Sequence, residues 1–243
     1  MPSVHFSSDL AFPKPYICEG GPRPAHALCW DTRQPKALSH GESAHEKDAD
    51  VSACTTGFLL NNTHAAVTYP DAVGDFTPSG FGYLDITSVV VDNDLTTLSF
   101  QINLAGNPLA VDWAKYLIGL DTAPGGNFTG PDGWGKPISM SVGGMDYFIG
   151  SWMNFGTGAE LRQWTGSAWS IVSGSGITLA TGANSVTISL PFTALGLNIG
   201  DTFRFDVYTT SDGNSVLDAA GSSAPLSWNN NPTTPATTCS LIL

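Results

Sequence analysis

Apolar and polar positions alternate along most of this chain with the two-residue period of a half-buried β-strand. Leu98, Phe100, Ile102 and Leu104 face one way, and Ser99, Gln101 and Asn103 the other. Leu84 to Val91 forms the preceding strand, across a turn at Asp92 to Thr96. Val186, Ile188 and Leu190 repeat the alternation, as do Phe203, Phe205 and Val207 against Arg204 and Asp206. Tyr116 to Leu120 is continuously apolar, which predicts a central strand covered on both faces. Gly143-Gly144 predicts a hairpin between Ile138–Val142 and Met145–Trp152. Thr165 to Ala168 predicts a second, between Glu160–Trp164 and Trp169–Val172, with Trp164 and Trp169 as a cross-strand pair. Ser211-Asp212-Gly213-Asn214 reads as a turn. Pro191 to Leu197 predicts one helical turn ended by Gly196, and Cys239 to Leu243 a closing edge strand. Short strands separated by Gly and Asp turns predict an all-β chain, an antiparallel β-sandwich of jelly-roll type over residues 66–243.

Residues 1–65 do not share the pattern. They hold six prolines and all five histidines, with no strand-length alternation. We read them as an irregular or processed N-terminal segment. No apolar signal-peptide core follows Met1. Thr63-His64-Ala65 has the small-x-small form of a cleavage site, so the native start is expected to differ from the Met1 given.

Composition narrows the function. Charged residues make up 12% of the chain, about half the usual ~25%, so Ser, Thr, Asn and backbone must supply the polar surface. This suits an extracellular all-β protein. From residue 65 onward fourteen acids face four bases, a net charge of −10. Nucleic acid and anionic membranes are excluded as partners, because phosphate contacts need clustered Lys and Arg. Divalent cations and neutral polymers remain. No apolar run reaches the 18 residues of a membrane span. Cys18, Cys29, Cys54 and Cys239 lack zinc-ligand spacing; a Cys54–Cys239 bridge and free thiols both stay open.

Thirteen of those fourteen acids are Asp. Asp71 and Asp75 flank a bend at Gly74, and two short carboxylates so placed can close on one calcium ion. They can equally cap backbone N–H groups as an Asx turn. Asp121, at a strand end, is the candidate distant ligand. Asp92-Asn93-Asp94 is read as a turn. Sugar binding needs stiff aromatic surface for the apolar face of the ring and polar groups for its hydroxyls. Trp134, in the loop Gly130-Pro131-Asp132-Gly133-Trp134-Gly135, and Trp152, with Asn154 beside it, are the candidate stacking group. Each tryptophan could instead serve the core. Catalysis has little to stand on. Glu160 is the only Glu after residue 50, no carboxylate pair is marked out for glycoside hydrolysis, and no His follows His64 for a serine triad. Asn61-Asn62-Thr63 and Asn127-Phe128-Thr129 match the glycosylation sequon, with chance as the default explanation.

The opening run Asp71-Ala72-Val73-Gly74-Asp75-Phe76 through Gly80-Phe81-Gly82-Tyr83-Leu84-Asp85-Ile86 resembles secreted β-sandwich domains of the glucodextranase C-terminal, DOMON-like and family-9 carbohydrate-binding group. Tyr116 to Thr122, Trp164 to Trp169, Leu195-Gly196-Leu197 and Gly200 to Tyr208 are similar to later segments of those domains, so the likeness covers about residues 66–230. It implies a sandwich that binds rather than catalyses, with a polysaccharide or glycan as partner and calcium at the Asp-rich opening. Those relatives often carry a further acid where Phe76 stands. A different reading treats the chain as a structural subunit of an extracellular filament or surface layer, assembled by strand addition at a sheet edge.

Overall fold

The computed structural model describes residues 66–75, 79–128, 130–140, 143–211, 213 and 216–221, and the backbone of the short strands at 76–77, 226–227, 233–234 and 237–240. The N-terminal segment 1–65, Trp228 and the Cys54–Cys239 bridge therefore lie outside the described residues and side chains.

The strands are β1 (Val67–Pro70), β2 (Phe76–Thr77), β3 (Ile86–Asn93), β4 (Thr97–Leu104), β5 (Lys115–Asp121), β6 (Ser139–Met140), β7 (Tyr147–Trp152), β8 (Gly158–Trp164), β9 (Trp169–Ile171), β10 (Thr178–Thr181), β11 (Ser185–Pro191), β12 (Thr202–Thr210), β13 (Val216–Ala219), β14 (Leu226–Ser227), β15 (Thr233–Thr234) and β16 (Thr237–Ser240). They form a β-sandwich of two antiparallel sheets. One has the order β1-β3-β4-β11-β10. The other runs β13-β12-β5-β7-β8-β9, and β16 shares the outer edge of β12 with β13. Among the described residues helix is limited to single 3-10 turns at Pro108–Ala110 and Phe192–Leu195. The second is closed by Gly196 at φ 69°, a left-handed conformation that suits glycine. No helix among the described residues is long and apolar enough to cross a membrane.

The alternation becomes two faces. Leu98, Phe100, Ile102 and Leu104 point into the core with Val186, Ile188 and Leu190, against Phe203, Phe205 and Val207 of the second sheet. Phe100 meets Phe205 edge-on at 5.4 Å, tying the sheets together. Each large side chain so buried stabilises the fold by about 1.5–3 kcal/mol. On the opposite face of the first sheet Ser99 bonds Ser189 at 2.8 Å and Asn103 donates to Ser88. β5 is buried along its whole length and sits centrally, between β12 and β7.

The hairpin at Asp94 forms as expected: its carboxylate accepts the N–H groups of Thr96 and Thr97, each at 2.7 Å. β8 and β9 form the second hairpin, with Trp164 opposite Trp169 at a ring distance of 5.5 Å. Gly143-Gly144 is not the hairpin it suggests. β6 pairs in parallel with β15, and among the described residues nothing pairs it with β7. The glycines instead let 143–144 abut 125–126 backbone to backbone, where a β-carbon at Gly126 would lie 2.5 Å from Gly144. Paired hydrogen bonds between Asn127 and Met145 lock the contact.

Candidate functional site

Two groupings of chemically useful side chains stand out. The first is acidic and joins the sheets. As the chain leaves β1, the Asp71 N–H donates to the Thr87 carbonyl, and Gly74, at φ 82°, turns the backbone. The Gly74 N–H donates to both oxygens of Asp85 (3.0 and 3.1 Å). That contact fixes the bend and carries Asp75 back towards Asp71. Asp218 arrives from β13, 147 residues after Asp71. Its carboxylate accepts from Ile86 N–H at 2.6 Å and from Ala219 N–H at 2.8 Å. One carboxylate oxygen from each of Asp71, Asp75 and Asp218 lies within 4.8 Å of the others. Two ligands at about 2.3–2.6 Å on opposite sides of a calcium ion are about 5 Å apart, so one ion spans this spacing.

The electrostatics agree with a cation here. Oδ2 of Asp71 and both side-chain oxygens of Asp75 are buried and accept no hydrogen bond. No Lys or Arg pairs with Asp71, Asp75, Asp85 or Asp218 among the described residues. Burial pushes Asp71 up to about 7, with Asp75 and Asp85 adding to the rise and the Ala72 N–H opposing it. Burial raises Asp75 too, helped by Asp85. Asp218 is pushed up to about 8 by burial, partly offset by the Ile86 N–H and reinforced by Asp71 and Asp75. Gathering ionised carboxylates in a desolvated place is unfavourable unless a positive charge joins them. An all-oxygen donor set suits a hard cation such as calcium. Asp121 is elsewhere: its Oδ2 accepts from Arg204 Nη1 at 2.8 Å. The third carboxylate that gathers with Asp71 and Asp75 is Asp218.

The second grouping is aromatic and covers the outer face of the second sheet. Along β7 and β8, Tyr147, Ile149 and Leu161 point into the core, so Phe148, Gly150, Trp152, Gly158, Glu160 and Arg162 point out. Residues 130–140 bring Trp134 to this face. The segment is shaped by buried Asp132, whose Oδ1 accepts from the N–H groups of Trp134 and Lys136 at 2.9 and 2.8 Å. Trp169 Nε1 donates to the Pro131 carbonyl at 3.0 Å. Trp134 then packs against Gly150, where a β-carbon would collide with the indole, and Trp152 packs likewise against Gly158. The two indoles are neighbours at 6.3 Å between ring centroids, inclined by 42°. Trp134 Nε1 donates to Glu160 Oε1 at 2.5 Å, and Arg162 Nε donates to the same oxygen. Both indoles are partly buried, Trp134 against a second apolar cluster that includes Leu117, Met145, Phe148 and Tyr208. Asn154 stands half-exposed in the turn from β7 to β8.

That turn holds a residue the sequence reading missed. Phe155 is fully exposed, and its φ of 49°, followed by 94° at Gly156 and 49° at Thr157, keeps three successive residues in the left-handed region. For Phe and Thr this costs about 1–2 kcal/mol each. An aromatic inside Asn154-Phe155-Gly156-Thr157-Gly158 was the available signal. Asp218 had a fainter one, a lone charge in the apolar stretch Val216-Leu217-Asp218-Ala219. Trp164 and Trp169 extend the aromatic row past Phe148, which lies 6.2 Å from Trp169. The sequon asparagine Asn127 is buried, with its amide donating to the Pro131 carbonyl and accepting from the Gly130 N–H.

Comparison of the chain with protein-family models and with curated proteins finds no match.

Proposed function

We propose that this chain is a non-catalytic, extracellular carbohydrate-binding module whose sandwich is stabilised by calcium. The observation that carries the reading is the side-by-side placement of Trp134 and Trp152, both partly exposed, on the outer face of the second sheet. They come from a loop and a strand, and the site binds them rigidly: each indole rests on a glycine, and Trp134 is also held by Glu160. Stiff, partly exposed aromatic surface flanked by hydrogen-bonding groups is what the apolar face and the hydroxyls of a saccharide require. Glu160 and Arg162 supply polar groups beside Trp134, and Asn154 and exposed Phe155 follow Trp152 in the turn to β8. Strain held at an exposed aromatic is consistent with a binding role. The net negative charge and scarcity of lysine favour a neutral polysaccharide over an anionic one.

The filament reading gains no comparable support. The terminal strands of the described sheets are short: four residues in β1, which ends in Pro70, three in β9 and four in β10. Short edges and an edge proline are devices that resist strand addition.

A glycan array tests the proposal. The native chain should bind a set of neutral glycans, and the Trp134→Ala, Trp152→Ala double variant should lose them. Phe155→Ala, which removes no packed surface, should weaken the same binding without lowering the melting temperature. Undiminished binding by the double variant refutes the shelf, and absence of any glycan binding refutes the function.

A further inference from the structure

We infer that the cleft formed by the end of β5, the start of β12 and the glycine-rich loops is a second binding site, for a single neutral sugar residue. The inference takes its ligand class from the carbohydrate reading but rests on different residues. The cleft has a volume of about 500 Å³ and is lined by Asp121, Pro124, Phe128, Gly143, Phe203 and Arg204 among others. This is within the ~300–1,000 Å³ of small-ligand sites. It is also built. Gly125 and Gly126 have φ values of 124° and 81°, and Gly126 and Gly144 approach too closely for any β-carbon. A β-carbon at Gly143 would collide with the Asp121 carboxylate, so only glycine lets that loop close over the acid. Asp146 holds the opposite wall, its Oδ2 accepting from Thr122 and Ala123 N–H at 2.8 Å each.

The chemistry selects the ligand. Arg204 and Asp121 set a partly exposed guanidinium beside a buried carboxylate at 2.8 Å. A vicinal diol matches such a pair, with one oxygen accepting from the guanidinium and the other O–H donating to the carboxylate. Phe128, largely exposed at the rim, offers a ring on which the apolar face of a pyranose can stack. The two charges cancel, and Asp146 lies just behind. An anion meets no net attraction here, while an ammonium group meets Arg204.

The test is titration of the full chain with D-glucose, D-galactose and D-mannose, followed by ligand-observed NMR. At least one should bind at millimolar concentration. Phe128→Ala should weaken that binding by about tenfold, equivalent to about 1.4 kcal/mol, and Arg204→Gln should abolish it. The Trp134→Ala, Trp152→Ala variant should leave it unchanged. Failure of all three sugars to bind overturns the inference, as does binding that survives in both Phe128→Ala and Arg204→Gln. Either result leaves the aromatic shelf standing, because polysaccharide binding there is read by the tryptophan variants.

Discussion

At the scale of single residues, Asp75 and Asp218 are the most informative positions. Their carboxylates converge with Asp71 in a largely buried place where no Lys or Arg pairs with them among the described residues, so ionising all three is unfavourable without a compensating cation. Calcium present at a hundredfold excess over its Kd would stabilise the fold by about 2.7 kcal/mol. The native chain should therefore melt at a lower temperature in chelator than in millimolar calcium. Asp75→Asn and Asp218→Asn should each erase that difference while still folding, since either change removes one negative charge from the cluster. Equal chelator sensitivity in native and variant proteins would show that these carboxylates are not ligands.

At the scale of elements, glycines in β7 and β8 set the geometry of the aromatic shelf. Replacing a strand glycine with alanine ordinarily gains stability, because glycine is a poor strand former. Gly150→Ala and Gly158→Ala should do the reverse. The new methyl would occupy the space of Trp134 or Trp152, and such overpacking costs about 1–3 kcal/mol. Chemical denaturation would measure the loss, and a shift in tryptophan emission would report the displaced indole. A stabilised variant would mean that the indoles do not rest on these strands.

The same elements show what could be read from the chain. Strict alternation marked the core of β4, and continuous apolarity marked β5 as central, because burial on one face or two leaves different patterns. The Trp164–Trp169 pair was legible from its short turn. Gly143-Gly144 was misread because a glycine pair that lets two backbones touch looks identical in sequence to one that turns a hairpin. The acidic centre was half legible. Asp71 and Asp75 flank a local bend, whereas Asp218 is 147 residues away and joins them only through the pairing of β13 with β12. Asp121 shows the converse: an acid at a strand end carries no mark distinguishing an ion pair with Arg204 from a metal ligand.

At the scale of the whole molecule, the acidic centre links the sheets. Asp71 and Asp75 follow β1 of one, and Asp218 belongs to β13 of the other. Its pH dependence has a definite sign. Burial pushes Asp71 up to about 7 and Asp218 up to about 8 in the folded chain, against about 3.9 for an unperturbed Asp. Without a cation the folded state holds protons that the unfolded state has released. Stability should then fall as pH rises from about 4 to about 8. Calcium binds the ionised carboxylates, so its stabilisation should grow across the same window. Melting curves in chelator and in calcium should diverge as pH rises, and curves that superpose at every pH would contradict the link.

The central claim, that this sandwich binds polysaccharide through a tryptophan shelf, is tested most directly by affinity electrophoresis. Native chain and the Trp134→Ala, Trp152→Ala variant would be run through gels containing a panel of neutral polysaccharides, with calcium present throughout. The account predicts that at least one polymer retards the native chain and that the double variant migrates as in a gel without polymer. Equal retardation of both proteins, or free migration of the native chain in every gel, would contradict it.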